Sequence, residues 1–224
     1  MIVELLAKNT KESIAEAYLL ALRKELNKNC GECYNDAIIL LTLFCRMKIN
    51  VFINRYRHTM REQELTTCYD INKANPLLNV IEVPGRKYND FFEAMREYPK
   101  DVNIISNADI FFNDTIELCK GINDNECYAL SRWDYKEGKA RLWDHQDSQD
   151  VWIFKGAPRN IDGHFELGKP GCDNAIAFNI KQAGYKISNP AKKIQAIHLH
   201  ESNVHTYRDK DRLVGYSYHF IPVT

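Results

Sequence analysis

Apolar positions recur along the chain with two different spacings, and the change between them divides the sequence. Over residues 10–29, Ile14, Ala17, Tyr18, Ala21, Leu22 and Leu26 return every three or four positions, the period of one helix face. Thr10 or Ser13 is placed to cap that helix, Cys30-Gly31 ends it, and a second helix is predicted over 34–46. From Met47 the character changes. Residues 47–54 form a short apolar run of strand type, and Met47 itself could serve as an alternative start. Helices are then predicted over 60–72, 90–98, 116–120 and 175–183. Strands are predicted over 78–83, 102–106, 127–132, 151–154 and 194–197, with Pro84-Gly85 and Pro99 as punctuation. Such alternation predicts an α/β domain over 47–224, with a mainly parallel sheet flanked by helices. Residues 1–46 are expected to be a helical N-terminal appendage.

Composition narrows the class without naming a function. Thirty basic residues balance thirty acidic ones, so no net field draws the chain to nucleic acid or to an anionic membrane. Seven scattered cysteines suit a reducing compartment better than a disulfide framework. Cys30 and Cys33 form a CxxC, but no second pair or nearby His completes a zinc site. The longest apolar run, 37–45, is about half of what a bilayer-spanning helix needs, so no transmembrane segment is expected. It lies too far along the chain to be a secretory signal, and the expected location is cytoplasmic.

Chemistry concentrates after the strand at 102–106. That run stops at Asn107-Ala108-Asp109 and resumes with Ile110-Phe111-Phe112. Carboxylate and amide oxygens at a strand's carboxyl end sit where open α/β sheets place ligands. Hard oxygen donors there suit Mg²⁺ or Mn²⁺, ions that usually accompany phosphates. The plainer reading is that Asn107 and Asp109 cap a turn. Four further segments follow in order: Ser131-Arg132-Trp133-Asp134, Gln149-Asp150-Val151-Trp152-Ile153-Phe154, Leu167-Gly168 through Asp173-Asn174, and Asn189-Pro190 through His198-Leu199-His200.

Together these segments resemble GT-A-type glycosyltransferases of bacterial polysaccharide clusters and large (algal) viruses. The resemblance runs from about Met47 to Tyr207. It implies a GT-A-like, Rossmann-related fold and transfer of a sugar from a nucleotide-sugar donor, with UDP the expected nucleotide, to a saccharide or glycan acceptor. It also implies a divalent ion, Mn²⁺ or Mg²⁺, on a DxD-like motif. Here that motif reads Asn107-Ala108-Asp109, so Asp109 is the expected metal ligand and Asn107 an uncharged donor contact. His198, which shares a strand face with His200, is the expected second ligand, and an imidazole in the shell favours Mn²⁺.

On the same footing Asp173 is the expected catalytic carboxylate, able to take the acceptor hydroxyl's proton, with Asp150 as its competitor. Its plainer role is a helix N-cap. Arg132 and Asp134 are expected beside the donor sugar. Asn54, Tyr56, Arg57 and Arg61 are expected around the nucleotide, with Tyr56 stacking on the base and Arg57 or Arg61 meeting phosphate. Tyr88 is a further donor contact, and Lys192 and Lys193 would neutralise the leaving diphosphate or simply be solvated. A haloacid-dehalogenase-type phosphotransferase needs a nucleophilic Asp where this chain has Asn107, and an amide cannot replace it. A non-catalytic nucleotide-sugar- or glycan-binding module remains the alternative.

Overall fold

In the computed structural model, residues 47–202, 204 and 207–224 are described. The helices predicted in 1–46, with Cys30 and Cys33, lie outside the described residues. Within them, short runs rich in Val, Ile and Phe, bounded by turns, become strands. β1 (Ile49–Ile53), β2 (Leu78–Glu82) and β3 (Val102–Ser106) pair in parallel, with β1 in the middle. Helix α1 (Glu62–Ala74) links β1 to β2, and α2 (Tyr88–Met95) links β2 to β3. The six-stranded sheet continues through β8 (Val151–Lys155) and β5 (Glu126–Leu130) to β9 (Lys186–Ser188), in the order β2-β1-β3-β8-β5-β9.

The expectation of a mainly parallel sheet is corrected to two mixed sheets. β8 runs antiparallel to both β3 and β5. A second sheet, in the order β4-β10-β6-β7, contains β4 (Ile110–Phe112), β6 (Arg132–Lys136), β7 (Lys139–Leu142) and β10 (Ala196–Leu199). Among the described residues, its one parallel ladder joins β10 to β6. The sequence run read as one strand over 127–132 divides at Ser131. There the backbone N–H donates to Asn189 Oδ1, and the hydroxyl lies within hydrogen-bond distance of the His145 and Ser148 carbonyls. The chain therefore leaves one sheet and enters the other. Glu137 and Gly138, both at positive φ, then fold β7 back in a two-residue hairpin that demands antiparallel pairing. The helix expected over 116–120 is a 3₁₀ helix (Asp114–Gly121), entered through Asn113, whose side chain accepts from the Thr115 N–H.

The core lies where α2 and α3 (Cys172–Gln182) cover the six-stranded sheet. Tyr88, Phe91, Phe92 and Met95 pack against Trp152, Phe154, Ile176 and Ile180, all nearly or wholly excluded from solvent. Three amides inside the sheet satisfy one another, whereas the Trp152 indole N–H is buried without a partner among the described residues. Asn79, Asn50 and Asn103 stand in register across β2, β1 and β3, each passing an amide hydrogen to the next acceptor and ending at the Tyr98 carbonyl. Among the described residues, Cys68, Cys119, Cys127 and Cys172 are buried and unpaired. No helix among them is long and apolar enough to cross a membrane.

Candidate functional site

Strand pairing explains why distant charged residues meet. β3 ends at Ser106, and the chain turns through Asn107-Ala108-Asp109 into β4. β4 pairs with β10 so that Ile110 faces His198, and β10 pairs with β6 so that His198 faces Asp134. Asp109, His198 and Asp134 are thereby delivered side by side. On the other flank Ser106 is opposite Val151, so Asn107 meets Asp150 just before β8. Helix α1 is fixed on β4 by Asn72, whose amide donates to the Ile110 carbonyl and accepts from the Phe112 N–H. That anchoring brings Arg61, at the N-terminal end of α1, onto Asp109.

The result is a row of alternating charges. Glu64 Oε2 lies 3.0 Å from Arg61 Nε, and Arg61 Nη2 donates to Asp109 Oδ2 at 2.8 Å. His198 Nε2 is 3.3 Å from the same oxygen, and its Nδ1 is 2.9 Å from Asp134 Oδ1. Arg132 then joins Asp134 at 2.8 Å to Asp150 at 3.3 Å, and Asn107 donates its amide to Asp150 Oδ1 at 2.8 Å. Burial alone would raise the Asp109 carboxyl, but the hydrogen bonds and charges of His198 and Arg61 outweigh it and hold the group well below the usual carboxylate range. Burial would lower His198, yet Asp109 and Asp134 prevail and raise it to about 9. Arg132, desolvated but facing two carboxylates, is likewise raised.

These groups border a cavity of about 210 Å³. Asn54, Tyr56, Arg61, Asn107, Asp109, Arg132, Asp150, Asp173 and His198 line it. Asp134 stands behind, touching His198 and Arg132. The other expected contacts do not line this cavity. Tyr88 is fully buried in the core, its hydroxyl 3.7 Å from Cys172 Sγ, because it begins α2 on the face that Phe91, Phe92 and Met95 bury. Arg57 is exposed and away from the cavity, as are Lys192 and Lys193. Asn54 also has a framework role, donating to the Val83 and Pro84 carbonyls at the end of β2.

Asp173 is not the N-cap. Gly171 takes that position with φ 83°, and a Cβ there would come within 2.7 Å of the Tyr218 hydroxyl. Asp173 instead sits in the first turn of α3, where burial and then the nearby Asp150 charge raise its carboxyl to about 8. Several cavity residues were not among the expected contacts: Arg86, Ser106, Ser148, Lys169 and Tyr207; His200, set behind His198 as a ligand candidate, also lines the cavity. Arg86 directly follows the Pro84-Gly85 turn at the end of β2, a usable signal because loops after parallel strands point toward the ligand side.

The donor set can be tested against a divalent ion. Asp109 Oδ1 is buried without a partner, while Oδ2 carries the Arg61 and His198 contacts. Ligands on adjacent corners around an ion at about 2.0–2.2 Å stand about 3 Å apart, close to the 3.3 Å between Asp109 Oδ2 and His198 Nε2. Asp134 on the other imidazole nitrogen is the usual carboxylate support of a metal-binding His. The spacing fits an ion held by two protein side chains, provided the ion displaces the proton that the two carboxylates keep on His198. Among the described residues no cluster of three or more His, Cys, Asp or Glu offers a fuller shell. The remaining positions would fall to substrate oxygens and water.

No family model matches the chain, and no curated protein matches it by sequence. Among solved structures it is similar to a mannosyltransferase from Pyrobaculum calidifontis, determined in complex with GDP-Man and Mn²⁺. The identity is 13% and the TM-score 0.39, over 74% of this chain and 59% of that one. The chain therefore spans about three fifths of that protein's length, and no residue is assigned from the likeness.

Proposed function

We propose that this chain is a metal-assisted glycosyltransferase of GT-A type, moving a sugar from a nucleoside-diphosphate donor, with UDP favoured, to a saccharide acceptor. The observation that carries the reading is Asp109. It is a carboxylate at the carboxyl end of a central strand, lining the cavity, with one oxygen buried and unpartnered and an imidazole beside the other. Such an arrangement suits a cation shared with a diphosphate. The resemblance to transferases of bacterial polysaccharide clusters and large viruses supports the same reading.

Asp109 and His198 would hold the ion, and Asp134 would fix the imidazole. The ion, when bound, supplies positive charge against the departing diphosphate. Arg86, exposed at the cavity, and Lys169, 3.6 Å from Glu166, add cationic groups of the chain's own on that side. Tyr56 lines the cavity beside Arg61, its hydroxyl accepting from Nη1 at 3.4 Å, and offers a ring to the base. Arg132 clamps Asp134 and Asp150 and so fixes both carboxylates near the sugar. Asp173 is the proton acceptor for the attacking hydroxyl. Its raised pKa places it near the operating pH of a general base, at the cost of being largely protonated at neutrality.

One observation favours a second reading. The Asn107 amide is engaged by Asp150 and brings no charge, as in a nucleotide-sugar-binding module without turnover. A melting-temperature panel of UDP, GDP, CMP and dTDP, each with and without Mn²⁺, tests the first reading. One nucleotide should raise the melting point, more so with Mn²⁺. If none does, the donor-site reading falls. If one binds but its nucleotide sugars release no nucleotide with any saccharide, the binding module takes its place.

A further inference from the structure

Beyond the donor cavity, a second concavity of about 530 Å³ lies between residues 144–147 and the C-terminal segment around Phe220, Pro222 and Val223. Its size falls within the range of small-ligand sites. His145 and Phe220 present about half of their surface to solvent there, 53% for the His145 side chain and 47% for Phe220. The His145 ring is backed by Trp143, stacked at 4.2 Å with 17° between planes. Trp143 in turn has the Arg132 guanidinium 5.2 Å from its ring centre, so the row of rings starts at the donor cavity wall.

Both walls are tied down. The Ile221 N–H donates to the Gln146 carbonyl at 2.8 Å, and the Asn174 amide donates to the Asp147 carbonyl at 3.2 Å. Asn174 follows Asp173 on α3, and its own carbonyl accepts from the N–H of His219, the residue before Phe220, at 3.0 Å. Both walls of the groove therefore bond to α3 one residue from the proposed proton acceptor.

We infer that this groove is the acceptor subsite and that its ligand is a neutral saccharide; this deepens the glycosyltransferase reading and rests on it. The half-exposed rings of His145, stacked on Trp143, and of Phe220 suit the apolar C–H faces of a pyranose. Asp144, Asp147 and Gln146 provide acceptors and an amide for its hydroxyls. Charge decides the class. The groove carries two carboxylates and no Lys or Arg, which disfavours phosphorylated or polyanionic ligands and leaves hydroxyl donors welcome. A saccharide seated there would extend one hydroxyl past Asp147 toward Asp173.

The test uses the full ¹⁵N-labelled chain, titrated separately with UDP and with the methyl glycosides of glucose, galactose, mannose, xylose and rhamnose at tens of millimolar. At least one glycoside should shift the Trp143 indole resonance and the amides of 144–147 and 220–223. His145→Ala and Phe220→Ala should each weaken that binding roughly fivefold, the loss of one ring contact. Both side chains are exposed, so an unchanged melting point confirms that folding is intact. The proposal is overturned if no glycoside shifts these resonances, or if the shifts survive both substitutions. UDP-induced shifts at Asn107 and Asp109 report the donor site independently, so failure of the groove is distinguishable from failure of the donor reading.

Discussion

The apolar cluster under α2 and α3 is sealed from solvent, the charged row at the end of β3 only partly so, and the two are held together by opposite logic. In the cluster, Trp152, Tyr88, Phe91 and Phe154 each touch several equivalent neighbours, and attraction is non-directional. In the row, each ion is compensated by one or two named partners. Removing a member of the first leaves a void. Removing a member of the second leaves a desolvated charge. The lesson is that stability is distributed in the cluster, whereas at the site it is bound to the same groups that would hold a ligand.

The sharpest break in that comparison is Asp109→Ala, which removes the carboxylate shared by Arg61 and His198 and leaves each with a single acidic partner, Glu64 and Asp134. It should cost about 3–5 kcal/mol in denaturant unfolding and abolish Mn²⁺-dependent nucleotide binding. Trp152→Ala should cost a similar amount, about 3–5 kcal/mol, through cavity formation while nucleotide affinity in the folded fraction is retained. Equal loss of binding in both variants would erase the distinction.

Asp173 gives a smaller and signed effect. Its folded pKa of about 8 exceeds the ordinary 3.8, so the folded state holds a proton that the unfolded chain releases. Wild-type stability from this group is complete below pH 3.8 and is lost as pH rises toward 8. Asp173→Asn should therefore melt above wild type at pH 8, by at least about 1.4 kcal/mol, with the gap closing toward pH 4. The same substitution should remove transfer activity, whose rising limb in the wild type should be centred near pH 8. An unchanged gap across that range would contradict the raised pKa.

Asn107→Asp comes next. It would set a second carboxylate 2.8 Å from Asp150 Oδ1, restoring the usual charge of the motif but costing about 1–3 kcal/mol through the lost hydrogen bond and repulsion. The smallest effect belongs to Arg57→Ala, exposed and away from the cavity, which should stay within about 0.5 kcal/mol and leave nucleotide binding unaltered.

Most strands were legible because short Val/Ile/Phe runs ended at turns, and β3 falls on residues 102–106 as expected. The second sheet was less so. Nothing in Leu130-Ser131-Arg132 marks a strand's departure, because the break is made by Asn189, 58 residues away. His198 was expected beside Asp109, but the other pairings of the 107–109 motif were not legible: Arg61 is 48 residues from Asp109, and Asp150 is 43 from Asn107. Tyr88 shows how a small boundary error misdirects a side chain. Starting α2 at 90 rather than 88 rotates the expected faces, and the residue on the cavity proves to be Arg86.

The central claim is that Asp109 holds a cation only in company with a nucleoside diphosphate. Electron paramagnetic resonance of Mn²⁺ measures it directly, since the free ion gives a six-line signal that binding suppresses. With the wild type, the signal should persist on adding protein alone and fall when UDP or GDP is added beyond its loss in protein-free controls. In Asp109→Asn that extra loss should disappear. An equal loss in Asp109→Asn, or none in the wild type with either nucleotide, would contradict the account.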